Sequence, residues 1–173
     1  MLSDPDYDNG AGERLGIGQL GEVENITPDM LDEDFFKSDY CIFGGSAFTY
    51  KLHSNLTALL KKAQENQATT IVNTIFDSEN EKKDPVGKWP MGDSDETYKL
   101  IDLLIMNRSE ALRYSGEKDV EAAFEFFVKT EVSTFIITND DKYTLAYSNG
   151  DLFEEVDKLR LPVSNAIKLA QKK

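Results

Sequence analysis

A chain of 173 residues is long enough for one domain with a buried core, or for part of a larger one. Hydrophobic residues at 40% and charged residues at 29% are ordinary for a globular protein. Net charge is −13, from 19 Lys and Arg against 32 Asp and Glu, so the surface repels nucleic-acid phosphates and anionic lipid and excludes both as general partners. A nucleotide site would need local backbone donors, a cation or a metal. Cys41 is the only cysteine and His53 the only histidine, which rules out an internal disulfide and Cys-cluster or multi-His metal centres. Cys41 falls in a strand-like run and reads as a buried, inert thiol. No apolar run approaches the roughly 20 residues of a membrane span. The acidic start, Met1 to Asp8, has none of the basic and apolar regions of a signal peptide. A soluble, cytoplasmic chain is expected.

Residues 1–12 are acidic and turn-rich, and are expected to be flexible and loosely held. Gly16, Gly18 and Gly21 fit G-x-G-x-x-G literally, but that motif binds dinucleotides only between a strand and an opening helix. Here a Gly-rich polar stretch precedes it and no helical periodicity follows. The spacing predicts a glycine-dotted strand, and a dinucleotide oxidoreductase is set aside. Thr27, Pro28 and Asp29 form a helix start, carrying Leu31, Phe35 and Phe36 and stopping before Tyr40.

Tyr40 to Phe43 is a predicted strand ending in Gly44-Gly45, a pair that permits a tight turn or a close ligand. Leu56, Leu59, Leu60 and Ala63 mark one face of a helix. Thr69 to Asn73 is the next strand, and Asp77 to Gly92 reads as a loop, with Trp89 pinning it to the body. Asp93 to Leu100 reads as a short helix with Asp93 and Glu96 as a cap pair. Leu103 to Met106 is a buried strand stopped by Asn107, after which a helix runs to Gly116. Val120, Ala123, Phe124 and Phe127 mark another helix, and Ser133 to Thr138 another strand. Tyr143 to Tyr147 and Leu152 to Val156 alternate as a hairpin about Ser148-Asn149-Gly150. A last helix after Pro162 aligns Val163, Ala166, Ile167 and Ala170, with Lys172 and Lys173 at its end. Alternating strands and helices predict an α/β fold with a mostly parallel sheet.

The best functional handle is Asn107-x-x-Glu110, at a strand's carboxyl end, where α/β sheets place their ligands. One reading is a capping box, with Asn107 as N-cap and Glu110 reaching back to the cap amide. The other is an organiser of hydrated Mg²⁺ and, through it, nucleotide phosphates, since Mg²⁺ keeps its waters and needs few protein ligands. The two are compatible.

The run from Asp102 to Leu112 resembles the N-x-x-E segment of the ribokinase-like (PfkB) carbohydrate kinases. Asp39 to Gly45, the Leu56 to Ala63 helix, the Val72-Asn73 strand end, Trp89, and Phe135 to Thr138 with its hairpin follow that family's order. The resemblance covers most of residues 13–163. It implies a three-layer α/β/α fold, incomplete at both ends, so that residues 1–173 form part of one kinase domain. It further implies ATP-dependent phosphorylation of a hydroxyl on a sugar or nucleoside. Asn107 and Glu110 would hold Mg²⁺ through its water shell, Thr138 would lie near the phosphates of ATP, and Gly44 and Gly45 near the substrate.

The departures from the family's pattern bear on activity. The Gly-Ala-Gly-Asp segment that supplies the anion hole and catalytic base is not found after Gly116, where the only glycine is Gly150. The Gly-Gly-Asn sugar-binding segment is absent too, Asn73 to Asp77 matches the Asp-x-Asn-x-Arg strand end only loosely, and the family's Thr-x-Gly reads Thr138-Asn139-Asp140. No catalytic residue is therefore assigned, and the chain alone is expected to be inactive: a truncated product or one half of a split enzyme. The alternative is a non-catalytic α/β module that binds a nucleotide or a partner. Lost flanking elements would expose strand edges, favouring self-association or a complementing chain.

Overall fold

The computed structural model describes residues 2–4, 13–15, 21–140 and 142–163. Within the stretch expected to be loosely held, Leu2–Asp4 (β1) pairs antiparallel with Glu13–Leu15 (β2). Of the expected glycine-dotted strand, residues 16–20 lie outside the described set. Gly21 instead opens a 3-10 turn, Gly21–Asn25, at φ 60.

The body is one six-stranded sheet whose strands lie side by side in chain order. Tyr40–Gly44 (β3), Thr69–Asn73 (β4), Leu103–Asn107 (β5) and Thr134–Asn139 (β6) run parallel. Tyr143–Ser148 (β7) and Val156–Pro162 (β8) complete it antiparallel. The mostly parallel α/β fold is as expected.

Side chains alternate across a strand, so each strand presents one set to each face. Cys41, Phe43, Val72, Leu104, Met106, Phe135, Ile137 and Leu145 are buried in one core. Against them pack Leu56–Glu65 (α3), Arg108–Ser115 (α5) and Val120–Lys129 (α6), through Leu56, Leu59, Leu60, Ala63, Ala111, Tyr114, Ala123, Phe124 and Phe127. These apolar positions recur every three or four residues, which places them on one helical face. Tyr40 and Ile42, on β3's other face, are 61% and 59% exposed.

Four local expectations need correction. The helix expected from Thr27 is two pieces, a 3-10 turn at Pro28–Met30 and a short helix at Glu33–Phe36 (α1), separated by Leu31 in an extended conformation. Asp32 caps the second piece, its carboxylate accepting the Asp34 amide at 2.9 Å, while Thr27 makes no cap bond. A competing Asp cap inside the segment restarts the helix.

The 77–92 loop contains a helix, Ser78–Lys83 (α4), capped by Asp77 through the Asn80 amide at 3.0 Å. It buries no side chain of its own, so no apolar periodicity announces it. Asp93 and Glu96 do not form a cap pair: the segment is a 3-10 helix, Asp95–Leu100, following Ser94, and Asp93 accepts the Thr57 hydroxyl instead. The hairpin's second strand is Val156–Pro162, because Ser148 Oγ accepts the Gly150 amide and Asn149 and Asp151 bond each other in a wider turn. The helix expected after Pro162 lies, beyond Val163, outside the described residues.

Two further short elements follow β3. Ser46–Phe48 is a 3-10 turn and Tyr50–His53 (α2) a single helical turn.

Candidate functional site

Parallel pairing brings the carboxyl ends of four strands to one edge. Gly44 lies opposite Asn73, Asn73 opposite Ile105, and Asn107 opposite Thr138. Asn107, Glu110 and Thr138 therefore belong to one corner, at the β5–β6 border. Gly44 and Gly45 lie at the end of β3, on the far side of β4.

At the first corner the capping box is complete. Asn107 Oδ1 accepts the Glu110 amide at 2.9 Å, and Glu110 Oε2 accepts the Asn107 amide at 3.1 Å. Asn107 Nδ2 donates to Glu110 Oε1 at 2.8 Å, and the Thr74 hydroxyl to Oε2 at 2.6 Å. Glu110 is only 7% exposed, and three donors satisfy most of the desolvation that burial imposes. A carboxylate offers about four lone-pair positions, so one stays open on Oε1. Asn107 itself is exposed beside it.

That donor set suits a hydrated Mg²⁺, which accepts a single carboxylate and keeps its waters. It does not suit a protein-caged ion: among the described residues no cluster of three or more His, Cys, Asp or Glu side chains could hold one.

Thr138 is exposed at the end of β6, and the chain turns there through Asp140 at φ 47. That left-handed conformation favours glycine and is tolerated by Asp. At the other corner, Gly45 needs its glycine for the turn: φ is 62, and its N–H donates to Asn73 O at 2.8 Å. Gly44 is different. It is exposed, and a Cβ there would meet nothing within 4 Å among the described residues, so their packing does not require glycine.

Between the corners lies a buried polar network that no sequence motif announced. His53, 1% exposed, bonds Ser46 Oγ through Nδ1 at 2.9 Å and Pro90 O through Nε2 at 3.0 Å. A carbonyl only accepts, so Nε2 carries the proton and Nδ1 accepts from Ser46. Burial pushes the imidazole pKa below its usual value, although the Pro90 bond and Asp77, 3.9 Å away, favour the charged form. The neutral ring ties the turn after β3 to the 77–92 segment.

Trp89 holds the same segment down, as expected. It is 1% exposed, packs edge-on to Phe76 and Tyr114, lies under the Arg113 guanidinium, and donates Nε1–H to Glu81 at 3.2 Å. Cys41 is buried, with burial raising its thiol pKa, and is no nucleophile. Thr74 was not legible because its partner lies 36 residues away.

A mostly parallel sheet covered by helices makes this an α/β protein, a class whose ligands bind beyond the carboxyl ends of the strands. A family model described as pfkB family carbohydrate kinase matches residues 7–161. The chain belongs to the pfkB family of carbohydrate kinases. No curated protein gives a significant match. Among solved structures the chain is similar to adenosine kinase from Sinorhizobium meliloti, at 15% identity and TM-score 0.57, over 82% of this chain and 40% of that one. It is also similar to an E. coli protein named as a ribokinase II, in complex with ATP and Mg²⁺, at 15% identity and TM-score 0.57, over 80% and 42%. A fructokinase with bound ATP from Xylella fastidiosa matches at 13% identity and TM-score 0.53, over 80% and 43%. The chain thus spans well under half of these proteins, and at such identities the likeness is one of fold.

Proposed function

We propose that residues 1–173 are part of a cytoplasmic ATP-dependent sugar or nucleoside kinase and contribute its metal–phosphate corner. The observation that carries this reading is Glu110: a buried carboxylate held by three donors, with an open lone pair at a parallel strand end. Asn107 and Glu110 would hold Mg²⁺ through its water shell, and Thr138 would face the phosphates of ATP. The metal would supply charge neutralisation on the transferring phosphate. Gly44, which none of the described residues crowds, would let a sugar or nucleoside hydroxyl approach the backbone.

Phosphoryl transfer also needs an anion hole and a base near the acceptor hydroxyl. These 173 residues contain no Gly-Ala-Gly-Asp segment that would provide them. Tested alone, the chain should bind Mg-ATP without turning it over, since a positioned base contributes about 10²–10⁴ in rate. ATP consumption with ribose, fructose or adenosine is the test. Consumption above background that Glu110→Ala abolishes would contradict inactivity while supporting the site.

A second reading, a non-catalytic nucleotide- or partner-binding module, is favoured by one feature. Asp140 puts a negative charge where the family's Thr-x-Gly has glycine. A Mg-ATP thermal-shift titration with no response would favour a partner-binding module.

A further inference from the structure

His53 has two alternative partners at one ring nitrogen. Nε2 donates to Pro90 O at 3.0 Å, and the Asp77 carboxylate stands 3.9 Å from the same atom. The two partners are unlike. Pro90 is exposed, so its carbonyl can exchange the ring for water, whereas Asp77 is 0% exposed and cannot. Among the described residues, His53 is the only donor to Pro90 O.

We propose that His53 is a pH-operated switch: the neutral ring latches the 84–92 segment through Pro90, and the charged ring turns to Asp77 and releases it.

The first argument is charge. A lone imidazolium at this depth is costly, and a carboxylate partner offsets the cost. Asp77 is within reach, and its charge already favours the protonated ring against the burial that opposes it. A charge-assisted N–H···O bond is about 2.7–2.9 Å long, so the ring need move only by roughly 1 Å. Asp77 can receive it. Its Oδ1 accepts the Asn80 amide at 3.0 Å and its Oδ2 the Asn80 Nδ2 at 2.6 Å, which leaves a lone pair on Oδ2.

The second argument is what stays in place. Once charged, the ring donates from both nitrogens, so the Ser46 hydroxyl turns from donor to acceptor and keeps its 2.9 Å contact with Nδ1. The tie to the turn after β3 therefore survives, and the tie to Pro90 is the one exchanged. Tyr114 faces the ring from α5, with centroids 6.3 Å apart. Burial, and the charges of Asp77 and Glu110, raise its phenol pKa, so it stays neutral as His53 titrates. Lys83, at the end of α4, also senses Asp77 but is exposed. Asp77 thus decides where the charged ring goes, and the 84–92 segment is the element with two states.

Asp77 follows the carboxyl end of β4, between the two corners. One consequence rests on the kinase reading proposed above: acid would loosen the strap between the metal–phosphate corner and the glycine turn.

The test needs no nucleotide or sugar, so its outcome is independent of that reading. The chain has one histidine and one tryptophan, and each reports alone. The imidazole Cε1–H resonance should titrate below the usual value of about 6.5. Trp89 emission should shift to the red with the same midpoint, while far-UV circular dichroism stays constant. His53→Gln should abolish the emission shift. Asp77→Asn, which keeps an acceptor for the Asn80 amide, should lower the midpoint by about one pH unit or more. Should Asp77→Asn not fold, the Asp77 carboxyl resonance, followed by ¹³C in the unmodified chain, should move with the imidazole midpoint. Trp89 emission that ignores the imidazole titration would overturn the proposal. So would loss of circular dichroism at the same midpoint, which would mean that the ring charges only on unfolding. A midpoint unmoved in Asp77→Asn would overturn Asp77 as the second partner, and the switch with it.

Discussion

Thr74 donates its hydroxyl to Glu110 Oε2 at 2.6 Å, joining the residue just past β4 to the first turn of α5. Both groups are 7% exposed, so neither can exchange this bond for water. Thr74→Val removes the donor and keeps the shape. It should cost about 1.5–3 kcal/mol, the range for a hydrogen bond to a charged group, and Thr74→Ser should restore most of it. Urea unfolding followed by circular dichroism measures both. A loss below 0.5 kcal/mol for Thr74→Val, by order of magnitude a typical surface substitution, would show that Glu110 does not depend on this contact.

The two adjacent glycines should respond oppositely to alanine. Gly45 has φ 62, which an L side chain adopts at a cost of about 1–2 kcal/mol, whereas a Cβ on Gly44 would meet none of the described residues within 4 Å. Gly45→Ala should lower the melting temperature, and Gly44→Ala should leave it nearly unchanged. If Gly44 lies against substrate, Gly44→Ala should still weaken sugar or nucleoside binding. Calorimetry separates the two effects.

His53 gives the chain an acid-sensitive latch. Its pKa is lowered in the folded state, mainly by burial, so folding favours the neutral ring. Stability from this group is fully present above the unfolded pKa, about 6.5, and is lost as pH falls through the folded value. His53→Gln should flatten the melting temperature between pH 7.5 and 5.5 relative to the unmodified chain. The common carboxylate titrations cancel in that comparison. Identical pH profiles would contradict the assignment of a neutral, buried imidazole.

Trp89 should dominate the anchoring of the 84–92 segment. Trp89→Ala removes a fully buried ring and its Nε1 bond to Glu81, and should cost about 3–5 kcal/mol. Limited proteolysis should then cut between Asp84 and Gly92 first. Cleavage elsewhere at the original rate would mean that other contacts hold the segment.

Legibility followed the range of the interactions. Asn107 and Glu110 were readable because a capping box is complete within one helical turn. β4 and β5 were readable from short apolar runs with clear stops. Thr74 and the Ser46–His53–Pro90 chain were not, since each joins groups far apart in sequence or outside any motif. Helix α4 was hidden because charges and an Asp cap support it without an apolar face. The hairpin's second strand was misplaced because Leu152 and Phe153 alternate like a strand while the Ser148 and Asn149 side chains hold a turn open.

The central claim is that Glu110 organises Mg²⁺ for nucleotide phosphates. Titration calorimetry of a non-hydrolysable ATP analogue, with and without Mg²⁺, against the unmodified chain and Glu110→Gln tests it most directly. The amide oxygen still accepts from the Thr74 hydroxyl and the Asn107 backbone amide, while the acceptor for Asn107 Nδ2 and the charge are lost. Binding should require Mg²⁺ and weaken at least tenfold in Glu110→Gln, with circular dichroism unchanged. Affinity indifferent to Mg²⁺, or equal in the two chains, would contradict it.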